Sequence, residues 1–502
     1  MTIPQAQAPV APTKSGLVRE MGLLGLVATG VCSMIGAGIN VIPFMIQRHA
    51  PGIGPNVLPA FLFAALPAVL AGLAYAVLAS AMPRAGGSYV YASRALDPYL
   101  GFVASFSQWF SLCVAIGVVS YLIVPFLRDI AVAAGSTAVA ATLETGPIRL
   151  TISLAFLWTA VFVNLRGVKA YERLIVPLMF LTFILGAVVI VAGFSFDHDA
   201  FAAALQARGG GAVAAVEAPL TLSVLLPASA LLFASFIGFD SIAQAGGEAR
   251  NPGRNLPLAI GISVVSVGLF YMLFTGAVYH AVPWQFIASE APHRDLTAPG
   301  LLGYLLPPAW TVVIVTGAAV ALIKDLPAML LAVSRLMFAW AEDGIFPRQI
   351  AAVHPRFHTP HVAILVSAAM ATLGIIGCHV AGDFFLGIDI LVTSMLVNFL
   401  LMAISVVTLP ARNPALAREV TVLPSREAQV PLAVAAIVVL SLFLGVHTWR
   451  DVTSPGAAWY FRSTPLWLLV MAAGSIIYRR ETRKLRRQGV DLDARFATLP
   501  PG

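Results

Sequence analysis

The feature that most constrains this chain is a series of apolar runs, each close to the ~20 residues a helix needs to cross ~30 Å of hydrocarbon. Twelve such runs are predicted, at 22–46, 56–80, 99–127, 148–164, 174–194, 222–246, 257–281, 308–339, 361–381, 387–409, 429–447 and 465–478. They are numbered below as spans 1 to 12. An open sheet cannot satisfy its backbone in lipid, and these runs are too long for barrel strands, so helices are expected. Only 11% of the 502 residues are charged and 59% are hydrophobic. A water-soluble domain carries roughly 25% charged residues. This chain lacks the charge to cover a wet surface, and no soluble output domain fits between its spans.

The distribution of Lys and Arg predicts topology. With the N-terminus inside, 22 of the 30 basic residues fall in inside segments and seven outside, at Arg48, Arg128, Arg149, Arg208, Arg294, Arg450 and Arg462. The remaining one, Lys324, lies within span 8. The excess of positive charge places both termini in the cytoplasm of a multi-pass cell-membrane protein. The net charge of +7 is thereby explained by topology rather than by nucleic acid, for which no aromatic and basic pattern is present. Cys32, Cys113 and Cys378 lie far apart in apolar stretches and show no metal spacing. They read as small buried hydrophobes.

Two spans carry an echo. Span 1 contains Ser33-Met34-Ile35-Gly36-Ala37-Gly38, and span 6 contains Ser235-Phe236-Ile237-Gly238-Phe239-Asp240. Both read Ser-x-Ile-Gly, and five spans separate the two starts, so the second copy enters from the opposite side. Glycine-interrupted helices at matching places of two inverted halves point to a transporter's binding site. Glycine weakens a helix by ~1 kcal/mol relative to alanine. In lipid, a break survives only where protein or a wet cavity satisfies the freed backbone groups. A break turns a positive helix N-terminus toward an anion and leaves carbonyls for a cation. The amides of Ala37 and Gly38 are therefore expected to face a carboxylate. The carbonyls of Met34, Ala234 and Ile237 are expected to face an ammonium. The other reading of the same glycines is close helix packing; the inverted echo favours the site.

Ionisable residues inside spans are costly and mark function by default. Lys324 and Asp325 sit mid-span 8, and Asp240 follows the break in span 6. Lys324 offers a resident positive charge; Asp325 offers a sodium ligand or a proton carrier. Adjacent helical positions do not face each other, so separate neighbours are expected. Asp240 reads equally as a proton carrier or gate and as a cap on a half-helix. Glu248 is expected to pair with Arg250 or Arg254, and Asp389 to be solvated or to cap span 10. Gln108, Trp109 and Ser235 are candidates for lining a side-chain pocket. A channel would want a continuous polar lining, which is not visible. No nucleophile–base set or metal motif suggests an enzyme.

Several segments resemble the amino acid–polyamine–organocation (APC) superfamily. Ile35-Gly36-Ala37-Gly38-Ile39 is similar to its first-helix signature, and Met82-Pro83-Arg84-Ala85-Gly86-Gly87-Ser88-Tyr89 to the loop after its second helix. Phe236 to Asp240 with Glu248-Ala249-Arg250-Asn251-Pro252, and Glu342 to Pro347 with His354 to Pro360, resemble the regions around its sixth and after its eighth helices. The resemblance implies an all-α membrane protein of the LeuT type: two inverted five-helix repeats with discontinuous helices 1 and 6. It divides the chain into a tail at 1–20, a transport core at 21–409, helices 11 and 12 at 410–478, and a basic tail at 479–502. It implies a secondary active permease of amino acids or related amines working by alternating access; an exchanger, or a permease for another organic cation or polyamine, is the alternative. Its substrate contacts fall on Met34, Gly36, Ala37, Gly38, Ala234, Ser235, Ile237 and Gly238, and ion coupling on Asp240, Lys324 and Asp325. The expected partners are a small-molecule substrate and the lipid bilayer, with H+ or Na+ as coupling ion, no other cofactor, and an oligomeric state the residues do not indicate.

Overall fold

A computed structural model describes residues 16–211, 219–381, 385–453, 459 and 462–500. Among the described residues, ten helices are long and apolar enough to cross a membrane. Spans 6 and 12 fall outside that count for physical reasons. Span 6 is broken into Leu222–Leu232, a 3-10 turn at Phe233–Phe236 and a short helix at Asp240–Gln244. Span 12 is the helix Ser463–Arg487, which runs nine residues past the expected end at 478 and carries Lys484, Arg486 and Arg487 in its last turn. The segment expected as a basic tail is thus partly a continuation of the last helix, followed by Leu492–Ala497. Among the described residues there are no strands, only two isolated bridges.

Local chemistry sets several boundaries. Span 3 is the longest helix, Pro98–Ala133. It starts where Asp97 accepts hydrogen bonds from the amides of Tyr99 (2.9 Å) and Leu100 (3.1 Å), with Pro98 in the first turn. A side-chain acceptor at the cap and a proline that needs no amide partner are what a helix start asks for. Span 1 is two helices, Leu23–Met34 and Ala37–His49, separated by Ile35 and Gly36. At the span 6 break Gly238 has φ +136°, a conformation open to glycine and strained for other residues.

Spans 1, 3 and 8 are mostly buried, whereas spans 4, 5 and 11 face outward over most of their length. Span 3 packs against spans 8, 9 and 10. The outward faces are apolar: Val191 is 66% exposed and Leu269 62%. Large exposed aliphatics spread over helix faces are what a lipid-solvated surface requires.

Both described ends of the chain lie on one side. Arg84 donates to the Pro500 carbonyl (2.9 Å) and Arg94 to the Thr498 carbonyl (3.1 Å). Lys169 pairs with Glu20 at 2.8 Å on the same side. Spans 1 and 6 are also tied there: the Met21 amide donates to the Glu248 carbonyl (2.9 Å), and the Arg250 amide to the Met21 carbonyl (2.8 Å).

Candidate functional site

The two breaks meet. A side chain on Gly238 would collide with the Ser33 carbonyl, and one on Gly38 would press on Ser235. The glycines therefore let two interrupted backbones lie against each other, and the same interruption leaves a cavity beside them.

That cavity, of about 80 Å³, is lined by Ser33, Met34, Gly36 and Gly38 of span 1, by Ala234, Ser235, Ile237, Gly238 and Ser241 of span 6, and by Asp325 of span 8. Of the eight expected contact residues, seven line it. The side chain of the eighth, Ala37, lies outside the described residues. The rest of the lining is aliphatic and comes from the later part of span 1 and from spans 3, 8 and 10.

Four buried polar atoms on this lining have no partner among the described residues: the hydroxyls of Ser33, Ser235 and Ser241, and Oδ1 of Asp325. Leaving a polar group buried and unpaired costs about 1–3 kcal/mol. Four around one small cavity is the signature of a site that a polar ligand completes. Both serines of the Ser-x-Ile-Gly echo contribute; Ser235 was expected here, whereas Ser33 and Ser241 were not.

The backbone groups are occupied differently from the expectation. The Met34 carbonyl accepts from the Tyr271 hydroxyl (2.5 Å) and from the Gly36 amide (3.1 Å). The Ala234 carbonyl accepts from the Ile237 amide (3.3 Å). These two carbonyls are thus engaged, while the Asp325 carboxylate offers an ammonium an acceptor oxygen without a partner. Span 1's second half, Ala37–His49, has no side-chain cap hydrogen bond at its start.

Lys324 and Asp325 straddle the break in span 1. The Lys324 ammonium donates to the carbonyls of Ile35 (2.5 Å) and Cys32 (3.3 Å), at the negative end of the first half-helix. The Asp325 carboxylate lies against Gly36, at the positive start of the second half, where a Cβ would overlap its Oδ2. Neighbouring positions on span 8 thus serve separate ends of one interrupted helix, as the angle between them requires.

Asp240 does not line the cavity. Its Oδ1 accepts from the Gly238 amide (3.2 Å), its Oδ2 accepts from the Gln108 amide, and it is fully buried. Gln108 therefore anchors span 6 to span 3 rather than lining a side-chain pocket. The Gln108 carbonyl oxygen accepts from Asn398 (3.3 Å), and Asn398 donates to the Tyr75 hydroxyl (2.8 Å). This buried polar chain joins spans 2, 3, 6 and 10. Trp109 likewise turns away, donating to Ser367 at 3.1 Å.

On the side of the chain ends the cavity is sealed. Arg335 donates to both carboxylate oxygens of Glu248, at 2.6 and 3.0 Å. Arg94 does the same to Asp343, at 2.6 and 2.9 Å. All four side chains are buried. Glu248 thus pairs across the fold with Arg335 of span 8, not with Arg250 or Arg254. On the other side a vestibule of about 930 Å³ opens, lined by Arg48, Tyr121, Arg128, Arg149, Arg208 and Arg294 among others. Val41 and Leu122 line both spaces, so the vestibule and the cavity adjoin. Asp389 is in contact with Arg450 (3.8 Å) and is not part of the cavity lining.

A family model described as amino acid permease matches residues 21–473. An uncharacterized transporter of Mycobacterium tuberculosis and one of Mycobacterium bovis are each 27% identical over 362 residues, covering 70% of this chain and 73% of theirs. A vacuolar cationic amino acid transporter of Arabidopsis thaliana is 30% identical over 153 residues, covering 30% of this chain and 25% of its own.

Proposed function

Because this chain belongs to the amino acid permease family, we propose that it is a secondary active transporter that carries amino acids across the cell membrane by alternating access. The observation that carries the reading is the cavity between the two breaks, with its four unpaired polar atoms. Three are hydroxyls that donate to a carboxylate. The fourth belongs to a carboxylate that accepts from an ammonium. A zwitterion satisfies both sets at once. In this reading Met34, Gly36, Ala37, Gly38, Ala234, Ser235, Ile237 and Gly238 shape the substrate site, and Asp325 binds the amine.

The vestibule side faces outward in this proposal, and both chain ends lie in the cytoplasm. Lys324 bears on coupling. Its ammonium already sits on the carbonyls at the end of the first half-helix. A fixed cation there removes the need for a sodium ion, so coupling falls to protons. Asp240 acts through Gln108 as the post on which span 6 turns, rather than by carrying an ion.

Uptake of a labelled amino acid pool by proteoliposomes tests this. Saturable uptake driven by an inward proton gradient and indifferent to sodium is expected. Uptake that strictly requires sodium would overturn the coupling assignment, and absence of uptake and of exchange would overturn the permease reading.

A further inference from the structure

The cavity has a second wall whose chemistry selects among amino acids. The polar atoms come from spans 1, 6 and 8. Spans 3 and 10 contribute Leu112, Ala115, Val118, Val119, Ile388 and Leu391. The span 3 residues recur at helical spacing and so present one apolar stripe. Among the described residues, the only charged side chain lining the cavity is Asp325. The neighbouring Lys324 ammonium is turned to the carbonyls of span 1.

We propose, resting on the permease reading above, that this cavity takes a small α-amino acid with a short uncharged side chain, and that Ala115 and Leu391 set its upper size limit. Size comes first. At about 10–15 Å³ of open space per water, the 80 Å³ cavity holds roughly five to eight water-sized groups. Glycine, alanine and valine fall within that count in non-hydrogen atoms. Lysine, arginine and the aromatic amino acids exceed it. Polarity comes second. Once Asp325 holds the α-ammonium, a second ammonium or a guanidinium meets only Leu, Ala, Val and Ile side chains. An unpaired charge in such surroundings is prohibitively costly. A carboxylate side chain meets the same wall and is rejected for the same reason. A lone hydroxyl is tolerated at about 1–3 kcal/mol, so serine is accepted more weakly than alanine.

Homo-exchange tests this directly. Proteoliposomes are loaded with one unlabelled amino acid and offered the same amino acid labelled outside, for glycine, alanine, valine, leucine, glutamate, lysine and arginine in turn. Exchange of glycine, alanine and valine is expected, with lysine, arginine and glutamate at least about tenfold slower, the scale of discrimination a pocket supplies per misfit group. Two variants locate the limit. Ala115→Val narrows the wall and is expected to lower valine relative to alanine by about tenfold. Leu391→Ala widens it and is expected to raise leucine relative to alanine by a similar factor. Lysine or arginine exchanging as fast as alanine would overturn the proposal while leaving the permease reading intact. So would an unchanged preference in both variants. Exchange of none of the seven would overturn the permease reading itself.

Discussion

The two ends of the pathway are built from the same residue types and behave oppositely. On the side of the chain ends, Arg335–Glu248 and Arg94–Asp343 are two-pronged, fully buried pairs. On the vestibule side, Arg48–Asp295 is a single 3.9 Å contact with both side chains about half exposed or more. The partners are arginine and carboxylate in every case. Burial and geometry make the difference. A buried, fully hydrogen-bonded pair cannot lose one member without stranding a charge, whereas an exposed pair is replaced by water. The sealed end is therefore held by two buried pairs, whereas the Arg48–Asp295 contact at the open end is exposed and exchangeable. That asymmetry supports the alternating-access reading proposed above.

Breaking the lock has the largest expected effect. Glu248→Ala leaves the Arg335 guanidinium buried without a carboxylate, at a cost of about 3–5 kcal/mol. A clear fall in the thermal unfolding midpoint in detergent is expected. Adding Arg335→Leu removes the stranded charge, and recovery of much of the lost stability is expected. If the double variant is no better than the single one, the stranded-charge account of the seal fails.

The middle of the pathway comes next. Asp325→Asn keeps the shape of the site and removes its charge. A hydrogen bond to a charged group is worth about 1.5–3 kcal/mol. Transport is expected to fall by about ten- to a hundredfold at 1.4 kcal/mol per tenfold. Kinetics that match the parent chain would remove Asp325 from the amine site.

The open end should be nearly silent. Asp295→Ala is expected to cost about 0–1 kcal/mol, and less at high salt. A drop in stability as large as that of Glu248→Ala would erase the distinction between the two ends.

These contrasts show what the residue order reveals and what it withholds. Most of the spans and the two glycine breaks were legible, because membrane length and helix disruption are local properties of a short window. The amino acid permease family followed from motifs that are local too. The two breaks together placed seven of the eight expected residues on one cavity because the echo marks the same turn in both halves. The pairings were not legible. Glu248 has Arg250 beside it and Arg254 one turn on, yet it bonds Arg335, 87 residues away. Lys324 reaches carbonyls 289 and 292 residues away. Such partners are chosen by how whole helices pack, which no window reports. Gln108 and Trp109 were read as pocket residues because polarity inside a span suggests a ligand. In the fold, Asp240 and Ser367 satisfy them instead. Span 12 was read as ending at 478 because its charges begin there. A helix does not stop where the lipid stops, so it continues to Arg487.

The central claim is that the cavity between the breaks is the transport site and is reached from the vestibule side while the other end is sealed. Ser235 tests it most directly, since its hydroxyl lies unpaired on the cavity wall. Ser235→Cys is made in a background where Cys32, Cys113 and Cys378 are replaced, and a membrane-impermeant thiol reagent is applied to one side at a time. The account predicts modification from the vestibule side, loss of uptake on modification, and protection by excess transported amino acid. Modification that leaves uptake unchanged and is not slowed by substrate would contradict it.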